Sequence, residues 1–297
     1  MRYEKGKVKV TSRVKYAPVF KGCVGQDGAV FGDLLFRFEA DGSCSVYSIA
    51  KQEKISSFVL DKVDVLRPHS NAVTFGAAKY APEDEFPLLY TNIYNNHARE
   101  ADRLEGTLCA YRLQRSGTEF ATKLVQVIRI GFTENLNLWK SLPDNGDVRS
   151  YGNLAVDPIR NRLYAFVMRD KERVTRYFEF NAPAADAGVY SEVYGCNAVT
   201  LVQDDILGMF DAPYSNYLQG ACAYDGLVFS VEGFNVKTAE DRNRPRMQII
   251  DMDAKRQAAD IDLFESGLYI EPEFVDYEGD VLYYMDASGA MYTFEFV

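Results

Sequence analysis

The chain has two histidines and one tryptophan in 297 residues. A metal centre held by three histidines of one subunit is therefore excluded. The five cysteines, Cys23, Cys44, Cys109, Cys196 and Cys222, are scattered, odd in number and never spaced as Cys-x-x-Cys. They offer no zinc pair and no dithiol motif, and their mostly small or apolar neighbours suit reduced, buried thiols in a cytoplasmic protein. No run of 18 apolar residues exists, so no membrane-spanning helix is expected. The start, Met1-Arg2-Tyr3-Glu4-Lys5, lacks the apolar stretch of a secretory signal. No Gly-rich phosphate loop, Gly-x-Ser-x-Gly elbow or His-Glu-x-x-His helix is present. Basic charge is in the minority, 33 Lys and Arg against 43 Asp and Glu, for a net charge of −10. A nucleic-acid partner is not expected, because that affinity comes from clustered Lys and Arg. The one basic stretch, Arg2, Lys5, Lys7, Lys9, Arg13 and Lys15, reads as an edge strand guarded by Lys rather than as a polyanion-binding arm.

What the chain does have is apolar and aromatic residues: 47% hydrophobic, with 20 Tyr and 19 Phe. That is too apolar for disorder and well suited to packed β-structure. Helical periodicity is weak throughout. The informative runs are short, β-branched or aromatic, and bounded by Gly, Asp, Asn or Pro. Five of them share one pattern, a turn followed by an aliphatic and then an aromatic residue: Leu35-Phe36, Leu89-Tyr90, Leu163-Tyr164, Val228-Phe229 and Leu282-Tyr283. Their aromatic members are 54, 74, 65 and 54 residues apart, a long uneven repeat that tiles the chain.

Each anchor is followed by a further strand, at Cys44 to Ile49, Leu108 to Leu113, Arg176 to Phe180, Met247 to Asp251 and Met291 to Phe296. A more polar fourth strand follows at Ile55 to Leu60, Lys123 to Ile130, Ala198 to Val202 and Ala258 to Leu263. Each repeat thus reads as a four-stranded antiparallel meander. The anchors are apolar on both faces, as in Leu163-Tyr164-Ala165-Phe166-Val167. A sheet with one wet face would alternate, so these sheets are covered on both sides. Sheets stacked radially in a β-propeller meet that condition. The fifth repeat lacks a fourth strand, and the alternating Lys7-Val8-Lys9-Val10-Thr11 is free to supply it. The expectation is one five-bladed propeller over 1–297, closed by an N-terminal strand in the last blade. Six blades is the alternative, because the segment from Asn181 to Asn197 has room for extra strands.

The strand before each anchor would line the central channel. Gln26, Asn153, Gln219 and Glu273 stand 10 or 11 residues before their aromatic anchors. Asn71 precedes Tyr90 at a longer distance, because the loop Lys79 to Phe86 intervenes, and His69 is placed on the same strand face. In a propeller these starts converge on one mouth, where Gln26, Asp27, His69, Asn71, Asn153, Gln219, Glu271 and Glu273 form a polar ring. Convergent polar groups in a concavity define the default binding site. Gln26, Asn71, Asn153, Gln219 and Tyr217 are the ligand-binding candidates. Glu273, Glu271, Asp27 and His69 are the catalytic candidates, since two nearby carboxyls push one pKa upward and create an acid near neutral pH. No cofactor is expected; a Ca²⁺ ion on oxygens of Asp27, Asn71, Asn153 and Glu273 is the one metal considered. Trp139 is a candidate for stacking on a sugar at the rim, with loop packing favoured.

The pieces Leu218-Gln219-Gly220-Ala221-Cys222-Ala223-Tyr224-Asp225-Gly226-Leu227-Val228-Phe229 and Glu271-Pro272-Glu273-Phe274-Val275 resemble inner-strand motifs of five-bladed propellers of the glutaminyl-cyclase type. Pro272 stands where that pattern has Leu. The resemblance implies a five-bladed bacterial propeller and, for activity, a cyclising acyl transfer with Glu273 or Glu271 as acid or base. The acid motif of arabinanase-like propellers has no counterpart, since Glu232-Gly233 is followed by Phe234. The reading of function is a ligand-binding propeller taking a small polar molecule, sugar or peptide end at the axial mouth. The alternatives are an enzyme, hydrolase or cyclising acyltransferase, working through Glu273, and a protein-interaction scaffold. A monomer is expected.

Overall fold

The computed structural model describes residues 14–67, 69–93, 106–130, 153–169, 172–215, 218–238, 240–241 and 243–296. The described chain is almost wholly β, with one helical turn, α1 (Val63–Leu66), and a 3-10 turn at Gln203–Asp205. Strand β1 (Val14–Phe20) leads into the first blade, β2 (Gly28–Phe31), β3 (Leu34–Phe38), β4 (Ser43–Ser48) and β5 (Glu53–Val59). The second blade is β6 (Val73–Phe75), β7 (Leu89–Ile93), β8 (Thr107–Ser116) and β9 (Glu119–Ile130). The third begins with β10 (Asn153–Asp157), β11 (Arg162–Arg169) and β12 (Val174–Asn181). A hairpin, β13 (Val189–Ser191) and β14 (Cys196–Leu201), then precedes that blade's outer strand β15 (Gly208–Pro213). The fourth is β16 (Leu218–Tyr224), β17 (Leu227–Glu232), β18 (Arg246–Asp251) and β19 (Arg256–Asp262). The fifth is β20 (Pro272–Glu278), β21 (Val281–Asp286) and β22 (Met291–Phe296), with β1 antiparallel to β22 as its outer strand.

The chain is therefore a five-bladed β-propeller closed by its N-terminal strand. The closing strand is Val14–Phe20; Lys7 to Thr11 lie outside the described residues. Five apolar clusters, one between each pair of neighbouring blades, account for the ring. Phe36, Phe38 and Phe58 pack against Phe75, Phe86 and Phe120 between blades one and two. Leu108 and Ile128 meet Leu163 and Phe178 between two and three. Tyr164 and Phe166 meet Val228 and Ile250 between three and four. Phe229 and Ile249 meet Val275 and Tyr284 between four and five. Val30 and Leu35 meet Phe274, Met285 and Met291 between five and one, which leaves no gap for a sixth blade.

This packing explains the doubly apolar anchors. Strands β3, β7, β10 and β17 are buried at every position, because each face meets a different blade. The polar punctuation sets the hairpins. Asp225 and Gly226 both have positive φ, 46° and 81°, the two-residue turn that joins twisted antiparallel strands. All five cysteines are buried and free.

One expected strand belongs elsewhere. The sequence pattern makes Ala198 to Val202 the outer strand of the third blade. Cys196–Leu201 instead lies parallel to β9, and with β13 extends the second blade to six strands. The outer strand of blade three is β15, paired with β12. Apolar alternation is the same whichever edge a strand joins, so composition did not separate the two.

Phe36 is fully buried, with four other rings, those of Phe58, Phe75, Phe86 and Phe120, within 6.5 Å between centroids. Phe36→Ala is expected to cost about 3–5 kcal/mol in denaturant unfolding. A loss below about 1 kcal/mol would mean that blades one and two are not packed this way.

Candidate functional site

Inner strands start at one end of the axis, and there two neighbouring blades break their ladders in the same way. In blade four Leu218 pairs with Glu232 and Gly220 with Val231, so Gln219 is an extra residue. In blade five Pro272 pairs with Asp286 and Phe274 with Met285, so Glu273 is the extra residue. Both are β-bulges, which turn a side chain away from the ladder direction. Blade one has a related irregularity: the Gln26 amide donates to the Phe38 carbonyl at 2.7 Å, and the Phe38 amide to the Asp27 carbonyl at 2.9 Å. Pro272 suits its place, since a bulge at the first residue of a strand tolerates a missing donor.

The bulges bring the acids and amides together. Gln219 Nε2 donates to Glu271 Oε1 at 2.6 Å and to the Gly233 carbonyl at 3.3 Å. The Glu271 amide donates to Asn235 Oδ1 at 2.9 Å, and its carbonyl accepts from the Ala287 amide at 2.8 Å. Gly220 explains the Gln-Gly pair. A Cβ there would stand 3.3 Å from the Glu273 carbonyl oxygen and 3.4 Å from Asp27 Oδ1, so blades one, four and five approach closely at this point.

Behind Glu273 lies Arg37, a residue not singled out from the sequence. It is 1% exposed. Its Nε donates to the Cys23 carbonyl at 3.2 Å and its Nη2 to the Gly25 carbonyl. Its guanidinium lies 5.9 Å from the centre of the Phe274 ring. Nη1 has no hydrogen-bond partner in the structure. Burial lowers the Arg37 pKa, against the nearby charges of Asp27, Glu273, Cys23 and Glu39. A single Arg amid Leu34-Leu35-Phe36-Arg37-Phe38 was the available signal, a charge at a position that packing should exclude.

Asp27 is fully buried. Its Oδ2 accepts the Val73 amide of blade two at 2.9 Å, while Oδ1 has no partner. Burial raises its pKa well above the usual range; the Val73 and Gly28 amides and the Arg37 charge pull the other way. Glu273 is 8% exposed, and burial pushes its carboxyl up to about 8, with Arg37 opposing and Glu271 reinforcing. Burial also raises Glu271.

The other expected ring members are placed as follows. Gln26 is half-buried in the turn before β2. Asn71 is buried, and its Oδ1 accepts from Asn92 Nδ2 at 2.6 Å. Asn153 begins β10; its Nδ2 lies 3.8 Å from Met168 Sδ, and its Oδ1 is buried without a partner. His69 is half-buried, but it does not share a strand face with Asn71. Ser70 between them is left-handed, φ 57°, and β6 starts only at Val73. Of the four residues considered for Ca²⁺, Asn71 has its side-chain oxygen already accepting from Asn92, and Asp27 has one of its two oxygens on the Val73 amide. Among the described residues no three His, Cys, Asp or Glu side chains group so as to hold a metal ion. Tyr217 and Trp139 lie outside the described residues. Among the described residues no helix is long and apolar enough to cross a membrane.

Among solved structures the chain matches the crystal structure of Myxococcus xanthus glutaminyl cyclase at 10% identity and a TM-score of 0.45, covering 95% of this chain and 94% of that one. No family model matches the chain, and no curated protein matches it. The propeller assignment rests on the five sheets and their five interfaces.

Glu273 carries a proton in the folded protein that the unfolded chain, at its ordinary value of 4.5, gives up. Its contribution to stability is fully present below that value and is lost as pH rises through about 8. Asp276, raised by burial from 3.8 to about 7, acts in the same direction at lower pH. Denaturant unfolding at about pH 5 and about pH 8.5 is expected to show the wild type losing stability relative to Glu273→Gln as pH rises. Equal pH dependence in the two proteins would show that Glu273 titrates as an ordinary surface acid.

Proposed function

We propose that the axial mouth binds a small polar molecule, a sugar or the end of a peptide, through Glu273, Glu271, Gln219 and Arg37, with Asp27 and Asn153 deeper along the inner strands. One observation carries this reading: adjacent blades break their ladders at matched positions and so aim Gln219 and Glu273 out of the sheets. A bulge interrupts regular pairing, and bulges gather beside functional sites. The open hydrogen-bonding capacity fits. Arg37 Nη1, Asp27 Oδ1 and Asn153 Oδ1 are buried and without protein partners, and such groups need a polar molecule, water or ligand, to satisfy them. A protein-interaction scaffold would need neither the bulges nor these groups.

An enzymatic reading uses the same mouth and has one specific observation in its favour. A carboxyl that keeps its proton to about pH 8 is suited to general acid chemistry at neutral pH. In that reading, either a hydrolase or a cyclising acyltransferase, Glu273 gives the proton, while Gln219 fixes Glu271 beside it.

A thermal-shift panel of monosaccharides, free amino acids and dipeptide amides tests the proposal, since any ligand that binds only the folded state raises Tm. At least one class is expected to stabilise the wild type. Glu273→Gln should weaken its binding at least ~10-fold, the usual effect of losing a hydrogen bond to a charged or buried acid. Ligands that bind wild type and Glu273→Gln equally would move the site away from this mouth. Product formation by the wild type, lost in Glu273→Gln even at ligand concentrations that saturate the variant, would select the enzymatic reading.

A further inference from the structure

The hairpin β13–β14 is the part of the chain that departs from the propeller plan, and it carries an unusual surface. Val189, Tyr190 and Val193 are 77%, 64% and 69% exposed. Val202, Leu207 and Met209, which follow in the chain toward the outer edge of blade three, are exposed as well. Six of the large apolar side chains left in water thus fall within 21 consecutive residues. Monomeric proteins scatter such residues singly, and a concentrated patch marks a contact surface. The hairpin itself is poor in charge: residues 187–202 contain a single charged side chain, Glu192, between Asp186 before it and Asp204 and Asp205 after it, in a chain that is 26% charged. Charge depletion with apolar and aromatic enrichment is the composition of an interface core.

The backbone adds a second feature. β13 is the terminal strand of the six-stranded sheet, so one side of its backbone faces away from the ladder. Exposed edges are ordinarily blocked by Lys, Pro or an inward charge. Val189, Tyr190 and Ser191 provide none of these, and the edge is held short, at three residues.

We propose that this edge is a dimer interface between two copies of the chain, formed by antiparallel pairing of β13 with β13 of the second copy about a two-fold axis. An antiparallel strand is its own complement under two-fold symmetry, as an isologous contact requires. Two chains of net charge −10 repel over most of their surfaces, so two copies pair at least cost where charge is sparse, as it is along residues 187–202. In a register centred on Tyr190, Val189 faces Ser191 of the second copy and Glu192 faces Gly188, which keeps the two glutamates apart. Val189, Tyr190 and Val193 on the hairpin, with Val202, Leu207 and Met209 following it in the chain, are the exposed apolar side chains available toward the roughly 800 Å² that each partner buries in a standard interface. The sheets of the two second blades would join into one continuous sheet.

Analytical ultracentrifugation over a ~100-fold range of concentration reads the mass directly, since that range spans the change from mostly dimer to mostly monomer. The wild type is expected to approach twice the 33.6 kDa of the chain. Val189→Glu combined with Val193→Glu should shift the dissociation constant at least ~10-fold toward monomer, by placing unpaired like charges in the contact. Both positions are exposed, so Tm and circular dichroism should match the wild type at equal monomer content. Ile159→Glu, an exposed apolar position on a different turn, should leave the dimer intact. A wild type that stays monomeric throughout, or a dimer indifferent to the paired substitution, overturns the proposal.

Discussion

The ring depends on carboxylates that reach from one blade into the next and accept its backbone amides. Asp27 takes the Val73 amide, joining blades one and two. Asp157 takes the amides of Asp225 and Gly226, joining three and four. Asp276 takes the Val30 amide, joining five and one. All three are almost fully buried. An apolar interface alone allows neighbouring sheets to slide, whereas a buried acceptor matched to a particular amide fixes register. Losing any of these acceptors would leave a buried N–H unpaired, which costs more than the bond itself contributes. For Asp27 and Asp276 the constraint has an electrostatic consequence. Burial raises the pKa of both, and the Arg37 charge acts on Asp27 and on Glu273 at the mouth. The architecture and the chemistry of the mouth are thus coupled through the same residues.

Much of this fold was legible in the chain because a propeller blade repeats a simple physical problem. An inner sheet buried on both faces cannot alternate, so each anchor shows up as a doubly apolar run such as Leu34-Leu35-Phe36. Turn residues mark where each run stops. The destination of β14 was not legible, because an edge strand reads the same beside either neighbour. The bulges at Gln219 and Glu273 were not legible either. Spacing from the aromatic anchor placed both residues at equivalent positions, but a one-residue interruption of pairing leaves no trace in composition. Arg37 is legible as an anomaly, a charge within the otherwise apolar Leu35-Phe36-Arg37-Phe38, but its partners are backbone carbonyls of Cys23 and Gly25 that no motif marks. His69 was paired with Asn71 by assuming an extended chain. The left-handed Ser70 breaks that assumption, and Ser is not a residue that advertises positive φ.

The two proposals concern opposite parts of the molecule. The mouth uses polar groups held tightly by packing, where small changes in protonation matter. The β13 edge uses exposed apolar side chains on a hairpin that the propeller itself does not need. Each can fail without the other, since no residue serves both.

The claim on which the chemistry turns is that burial holds the Glu273 carboxyl protonated near neutral pH. A carbon-detected NMR titration of the glutamate side-chain carboxyls, assigned by comparison with Glu273→Gln, measures this directly. The account predicts a midpoint near 8 for that resonance. A midpoint close to the ordinary 4.5 would show a solvated acid at the mouth and would contradict both the burial of the carboxyl and the acid role assigned to it.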